Sequence, residues 1–483
     1  MFRRITILCF RVMRMFIGRN FEIEELEERL KSPRFEMMPI YGRRRVGKTR
    51  LLEEFTKDKK TIFFTANQFG EEENLKNLSL SIGISLLGSQ NPLAYPSFQT
   101  AFLEVADLVG KLDEPVVFVI DEYPYLAQSN MGISSVLQWV IDKYYLKLPN
   151  LMLILTGSQM SFMQRQVLGY ESPLYGRRTG QIKLLPLDFN EARRFLPKMP
   201  LNEFLTIFGV TGGIPLYLEM MNDNFSLKDN VKNNLLKTST LLYEEPENLL
   251  MQELRSPNIY NDVLIAVANG ATQLNEIADK TKIESGNIIK YVNTLIDLNI
   301  LNKKNPLTNI GKRKPLYYIQ DGLFHFWYRY VPKYQNFIGR KQISDIWPRI
   351  EEDLIQFTSL IFEDFCRNWI LTNSKILVSE VGGWWGNNPL VKKSGANAEE
   401  VDVIGIGLEK DEIVIGECKW RNEITGVDVG EKLVERAQFF PYLHKELYIF
   451  SKKGFSDELI SYAKKNNIHL MTFAEMVEIS MGI

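Results

Sequence analysis

Residues 36–49 read EMMPIYGRRRVGKT. The apolar run 36–41 predicts a short strand. The loop that follows has the spacing G-x-x-x-x-G-K-[ST], from Gly42 to Thr49. Gly42 and Gly47 let the backbone wrap so that N–H groups along Arg43, Arg44, Arg45 and Val46 face phosphate oxygens. Residues 47–57 predict a helix whose N-terminus favours the same anion, and Arg50 in its first turn completes the binding set. Lys48 reaches the β- and γ-phosphates, and Thr49 offers a hydroxyl to Mg²⁺. The strand before the loop and the helix after it separate this pattern from a solvated basic turn. ATP and Mg²⁺ are the expected ligands.

The partner of this loop is VVFVIDEYPYL at 116–126. A buried strand that ends in Asp121-Glu122 places two carboxylates at the carboxyl edge of a sheet, where ligands bind. Asp121 holds the metal, and Glu122 orients and activates the attacking water. LILTGS at 153–158 is a further strand, ending in Thr156 and Ser158, where a hydroxyl can sense the γ-phosphate. GRR at 176–178 offers Arg177 and Arg178. A guanidinium there can stabilise phosphoryl-transfer charge in cis or from a neighbouring subunit, so a homo-oligomer is allowed; a solvated or sheet-capping arginine is the alternative. Apolar runs at 36–42, 60–66, 116–120, 151–156 and 181–187, separated by helical patterns such as 73–87 and 132–145, predict a parallel sheet of strand–helix–strand units. The fold class is therefore α/β, a P-loop NTPase sheet.

Composition bounds the rest. The 483 residues suggest about three domains. Lys plus Arg is 58 and Asp plus Glu 59, so any nucleic-acid contact needs a local basic patch. The cysteines, Cys9, Cys366 and Cys418, lie far apart and fit a reducing cytoplasm rather than a disulfide scaffold. No apolar run approaches the roughly 20 residues that span a bilayer, so no membrane partner is expected. At the N-terminus, MFRRITILCFRVMRM reads as upstream of a natural start at Met13 or Met15, with recognisable protein from Phe16.

FIGRNFEIEEL (16–26), the phosphate loop, IDEYPYL (120–126), the GRR segment and TGGIPLYL (211–218) together resemble the archaeal-type ATPases. These are AAA-like, STAND-type P-loop NTPases with an additional catalytic glutamate, and the resemblance runs from Phe16 to near the end. It implies that Gly18 and Arg19 lie near the adenine or ribose, and that the Gly-Gly-Ile-Pro segment at 212–215 closes the nucleotide site. It also divides the chain into an ATPase core (16–190), a helical lid (191–255), a winged helix (256–335) and a C-terminal domain (345–483).

Within the third segment, residues 280–315 carry Lys280, Lys282, Lys290, Lys303, Lys304, Lys312, Arg313 and Lys314 against Glu284 and Asp297. Three helices and a hairpin, LYYI (316–319) closing it, with basic residues on the third helix and hairpin, match a DNA-docking helix-turn-helix variant. The other reading is a lid that packs on the ATPase.

At the C-terminus, EEVDVIGIG (399–407) and DEIVIGECKW (411–420) predict a hairpin. A loop at Glu409-Lys410 puts Asp402 opposite Glu417. A loop at Lys410-Asp411 puts it opposite Lys419. Either places Asp402, Glu417 and Lys419 on one face. Such a trio can bind Mg²⁺ or Mn²⁺ and polarise a scissile phosphate, with Lys419 positioning water. The arrangement resembles the PD-(D/E)XK nucleases, which implies Glu363 as a first acidic ligand and Gln438 as a supporting residue. Trp384 and Trp385 can stack on bases or belong to the core.

Three functions fit this reading: an ATPase that gates DNA binding or cleavage, a nucleotide-dependent signalling switch with an inactive C-terminal domain, and a DNA-binding protein with a degenerate nuclease fold.

Overall fold

Strands β1 (Glu36–Tyr41), β3 (Val116–Asp121) and β4 (Leu151–Gly157) are buried along their whole length. With β2 (Lys60–Thr65) and the two-residue β5 (Ile182–Lys183) they form a sheet in the order β2-β3-β4-β1-β5, parallel throughout. The strands read as continuous apolar runs because both faces are covered. Met37, Phe118, Ile120, Leu153 and Leu155 enter one core, and Met38, Val117, Val119, Met152 and Ile154 enter the other, alternating with period two. Each such side chain contributes about 1.5–3 kcal/mol on burial. β5 is shorter than the apolar run 181–187 predicts: its partner β1 ends at Tyr41, whose carbonyl takes the Leu184 N–H at 2.8 Å.

The computed structural model describes residues 16–89, 94–254, 256–308, 310, 314–390 and 398–482. The chain divides into two compact units. The first runs to Leu187 and includes Ile214–Leu216; the second comprises Asp188–Gly213 and the chain from Tyr217 onward. Among the described residues no helix is long and apolar enough to cross a membrane.

The second unit begins with helices that include Leu201–Thr211, Leu227–Asn234 and Leu241–Glu253. Helices Asn258–Ala268, Leu274–Thr281 and Ser285–Asp297 follow, then an antiparallel hairpin of β6 (Leu301–Lys304) and β7 (Leu316–Ile319). The aromatic stretch at 324–331 lies on helix Gly322–Gly339, where Phe324, Phe326, Trp327, Tyr328 and Tyr330 are all buried. Over this stretch the helix is apolar on most sides, which places its first half inside the protein. Its N-terminus crosses helix Leu201–Thr211 so closely that a Cβ on Gly322 would stand 1.9 Å from the Gly209 carbonyl oxygen.

The C-terminal part carries the 31-residue helix Ile343–Asn373 and a mixed sheet, β12-β11-β10-β9-β8. Its strands are β8 (Val378–Asn387), β9 (Ala398–Gly407), β10 (Glu412–Lys419), β11 (His444–Ser451) and β12 (Ile468–Thr472). β8–β9–β10 is antiparallel, and β10–β11–β12 is parallel through helices Val427–Ala437 and Asp457–Asn466. Leu307 and Ile310, described residues between β6 and β7, lie against β8. Leu307 N–H donates to the Gly383 carbonyl, and the Trp384 indole donates to the Ile310 carbonyl at 2.9 Å. Trp384 is 0% exposed, packed on Phe439 and Phe440. It is a core residue and takes no part in base stacking.

Gly322→Ala should cost about 1–3 kcal/mol, because backbone rather than a flexible side chain blocks the new methyl. Thermal unfolding of the variant checks this; a midpoint equal to that of the unaltered chain contradicts the glycine-to-glycine crossing.

Candidate functional site

The phosphate loop is shaped by its backbone. Arg45 and Gly47 adopt positive φ, at 68° and 97°. Alternation of this kind turns successive N–H groups inward to form an anion nest. A Cβ on Gly42 would stand 2.4 Å from the Leu184 carbonyl oxygen, so only glycine admits the loop beside β5. Lys48 opens helix Lys48–Thr56, is 5% exposed, and folds back to donate to the carbonyls of Gly42 (3.0 Å) and Arg43 (3.2 Å). Burial lowers its pKa below the ordinary lysine value, Glu122 and Asp121 oppose that shift, and Arg44 adds to it.

β4 lies between β1 and β3, and this brings the other residues in. Asp121, 2% exposed, accepts from Thr49 Oγ1 at 3.0 Å on one carboxylate oxygen and from Thr156 Oγ1 on the other. Thr156 Oγ1 also accepts the Glu122 N–H at 3.1 Å. Glu122 has left-handed backbone (φ 53°, ψ 46°), an uncommon state for a residue with a Cβ. Its Oε2 accepts from Ser158 N–H at 3.2 Å and Ser158 Oγ at 2.9 Å. The nest, the buried ammonium and the hydroxyl–carboxylate pair Thr49–Asp121 fit a magnesium-bound triphosphate.

The remaining expected nucleotide residues divide. Gly18 and Arg19 both have positive φ, and the Arg19 guanidinium donates to the carbonyls of Val46 (3.2 Å) and Leu185 (2.6 Å) and pairs with Glu22. It thus braces the phosphate loop. Arg44 donates to the Tyr125 hydroxyl at 2.9 Å. Arg50 lies along its own helix beside Glu53 and Glu54. Arg177 is committed elsewhere, gripping Asp142 with two nitrogens (2.8 and 2.7 Å) and the carbonyls of Pro173 and Tyr175 with a third. Arg178 donates to Gln181. Pro215 packs in the first unit, its Cγ 3.8 Å from where a Cβ on Gly47 would stand. Sequence reasoning missed Tyr125 and the double role of Thr156; the polar endings of neighbouring strands were the available signal.

In the second unit, β9 and β10 pair in the register Ile413–Ile406 and Gly416–Val403, which continues to Asp402 opposite Glu417. The hairpin loop is therefore the one at Glu409-Lys410. Asp402 Oδ2 accepts the Cys418 N–H at 2.8 Å. Glu417 gives one oxygen to Lys419 (2.5 Å) and the other to Arg436 (2.7 Å), which also binds Glu399. Glu363 pairs with Arg367 at 2.9 Å, and Arg367 donates to the Asp402 carbonyl. Burial first, then Glu417 and Glu363, push Asp402 up to about 8, and burial pushes Glu363 up to about 6 against the pull of Arg367. Among the described residues no group of three or more His, Cys, Asp and Glu side chains is arranged to hold a metal. Glu417 and Glu363 are ion-paired within the fold, and Asp402 holds a backbone N–H. Arg436 and Arg367, which make these pairs, were not singled out in the sequence because arginines on amphipathic helices look like solvated ones. Gln438 caps helix Val427–Ala437.

The basic segment is partly used inside the fold. Lys304 pairs with Asp364 at 3.3 Å and lies over Tyr318, and the Lys314 carbonyl accepts from the Trp385 indole. Lys312 and Arg313 lie outside the described residues. Lys280, Lys282 and Lys290 are exposed, together with Asn287 and Asn293 on helix Ser285–Asp297.

The Asp402 shift has a consequence for stability. The folded chain keeps this proton between about pH 4 and about pH 8, where the unfolded chain has lost it, so stability falls as pH rises through that window. Asp402→Asn removes the ionisation and should gain in melting temperature relative to the unaltered chain from pH 5 to pH 8. A difference that stays constant with pH contradicts the buried, carboxylate-crowded setting.

Residues 16–221 match the family described as an ATPase domain predominantly from Archaea, and residues 327–432 match one described as archaeal and bacterial proteins of unknown function. An uncharacterized protein of Methanocaldococcus jannaschii is 28% identical over 455 residues, 93% of this chain and 94% of its own. An uncharacterized ATP-binding protein of the same organism is 44% identical over 46 residues, 10% of this chain and 78% of its own. Among solved structures, a Walker-type ATPase of Pyrococcus abyssi is 24% identical and covers 65% of this chain and 96% of its own, with a TM-score of 0.49. Residues 16–221 are thus a P-loop ATPase domain of archaeal type, in a chain whose residues 327–432 match the family of archaeal and bacterial proteins of unknown function.

Proposed function

We propose that the chain is a Mg²⁺-dependent ATP hydrolase whose nucleotide state controls contact of the second unit with DNA. The observation that carries the hydrolase reading is the hydrogen-bonded chain Thr49–Asp121–Thr156–Glu122–Ser158 beside a buried Lys48. Lys48 neutralises phosphate charge and the loop N–H groups orient the phosphates. Thr49 and Asp121 would hold Mg²⁺, which supplies charge neutralisation across the phosphate oxygens. Glu122 accepts a hydrogen bond from the attacking water and orients it in line. Arg177 is assigned no part in this step, because Asp142 and two carbonyls satisfy its guanidinium.

Support for the DNA reading is the exposed face of helix Ser285–Asp297, where Asn287, Lys290 and Asn293 stand out from a three-helix-and-hairpin arrangement of winged-helix kind. Lysines neutralise phosphates, and asparagines can pair with base edges. Between the hairpin strands, the carbonyls of Ile310 and Lys314 accept from the two indoles of β8. No cleavage step is assigned to Asp402, Glu417 and Lys419, of which Glu417 and Lys419 are ion-paired and Asp402 holds a backbone N–H; the second unit is read as binding DNA without cutting it.

Lys48→Ala should lower ATP turnover by roughly a hundredfold or more while leaving the fold intact. Glu122→Gln should bind ATP and fail to turn it over, since Asp121 remains. Equal turnover in Lys48→Ala, or lost binding in Glu122→Gln, contradicts these roles; both are read from phosphate release and equilibrium nucleotide binding.

Changing Lys280, Lys282 and Lys290 together to Ala should weaken DNA binding and reduce the salt slope by about one unit per lost phosphate contact. An unchanged slope removes this face from the interface, and metal-dependent nicking of plasmid by the unaltered chain overturns binding without cleavage.

A further inference from the structure

Arg44 is the third residue of the phosphate loop, and its side chain leaves the loop in a definite direction. The guanidinium crosses to helix Tyr123–Ser129 and donates to the Tyr125 hydroxyl at 2.9 Å. Tyr125 is fixed one turn beyond the acidic pair. Its N–H donates to the Glu122 carbonyl at 3.0 Å, and its side chain packs on the core that holds Phe118 and Ile120. The bond therefore joins the loop to the turn that carries Glu122, with the guanidinium between them.

The charges around the loop agree with this placement. Burial lowers the Lys48 pKa, Glu122 and Asp121 oppose that shift, and the Arg44 charge adds to it, so these side chains surround one loop mouth. Lys48 meets the terminal phosphates from one side, and Glu122 meets the attacking water from the other. The phosphoryl group in transfer lies in the gap between them, and Arg44 borders that gap. Other arginines near the loop are turned to other uses. Arg19 braces Val46 and Leu185, Arg50 lies beside Glu53 and Glu54, and Arg177 grips Asp142.

We infer that Arg44 is the catalytic arginine of this site, supplied in cis from inside the phosphate loop, and that Tyr125 is a positioning residue that aims it at the terminal phosphate. The inference rests on the ATPase reading of this site. In hydrolysis the bond from the bridging oxygen to the terminal phosphorus breaks, and that oxygen leaves on ADP with the electron pair. The water oxygen bonds to the phosphorus; one water proton stays on inorganic phosphate and the other is released through Glu122. Negative charge shifts among the bridging and equatorial oxygens during this step, and a guanidinium beside them stabilises it. A guanidinium has five N–H donors in a fixed fork, so one bond to a hydroxyl sets its direction with little of that capacity.

The test is equilibrium binding to the full chain of two probes, Mg·ADP alone and Mg·ADP with aluminium fluoride, which mimics the phosphoryl group in transfer. Arg44→Ala should weaken the fluoride complex by roughly 100-fold or more relative to Mg·ADP, within the scale of an arginine acting on phosphoryl transfer. Arg44→Lys should not restore it, since lysine lacks the planar fork. Tyr125→Phe keeps the ring and should weaken the fluoride complex by roughly 3- to 10-fold, the scale of one hydrogen bond, lowering kcat and leaving KM. In the Arg44→Ala background Tyr125→Phe should have no further effect, which separates aiming from packing. Mg·ADP binding in each variant reports an intact site. Equal weakening of both probes by Arg44→Ala means that Arg44 only shapes the loop, and overturns the inference; a Tyr125→Phe effect of the same size in both backgrounds overturns the positioning role. Failure of the ATPase reading looks different: Mg·ADP then does not bind the unaltered chain, or binds Lys48→Ala equally well, and the role of Arg44 falls with it.

Discussion

Asp121 is the buried acidic group on which the first unit is organised. It sits almost wholly out of water, with a threonine on each carboxylate oxygen. A buried carboxylate is tolerated only when its lone pairs are met. Meeting them requires Thr49 from the first turn of one helix and Thr156 from a strand far along the chain. That requirement draws together the ends of β1, β3 and β4 and so shapes the phosphate loop. The sheet order serves the same end, since β4 between β1 and β3 supplies Thr156 and Ser158 where the acidic pair needs donors.

The second unit is governed by a different economy of polar groups. The charges that look chemical in sequence are mostly spent on each other. Glu417 meets Lys419 and Arg436, Glu363 meets Arg367, and Lys304 meets Asp364. Of these, Glu417–Arg436 is buried, and breaking it would leave an uncompensated charge out of water, which is costly. Trp384 is likewise committed. Its ring is fully buried, and its indole N–H ties Ile310, between β6 and β7, to the C-terminal sheet.

Much of the ATPase site was legible in residue order because its chemistry is local. A loop of eight residues can be recognised from spacing alone, since the glycines, the lysine and the threonine act on one phosphate group within one turn of chain. The strands β1, β3 and β4 announced themselves as unbroken apolar runs. Asp121-Glu122 followed from its place at the end of such a run. The register of the β9–β10 hairpin was legible only as a pair of alternatives, because period two fixes which residues share a face but not which ones stand opposite.

What sequence by itself determined was therefore the α/β sheet, the phosphate loop with Lys48 and Thr49, the acidic pair, and the shared face of Asp402, Glu417 and Lys419. What only the tertiary structure decided was how donors are allotted. Arg177 pairs with Asp142, Glu417 is claimed by Arg436, Trp384 is sealed in a core, and Ser158 holds Glu122. Each of these joins residues 19 or more positions apart or depends on a neighbouring element, and a polar side chain's partner is set by which groups lose water together. Spacing along the chain fixes what a residue can do, and desolvation in the folded protein chooses which partner it does it with.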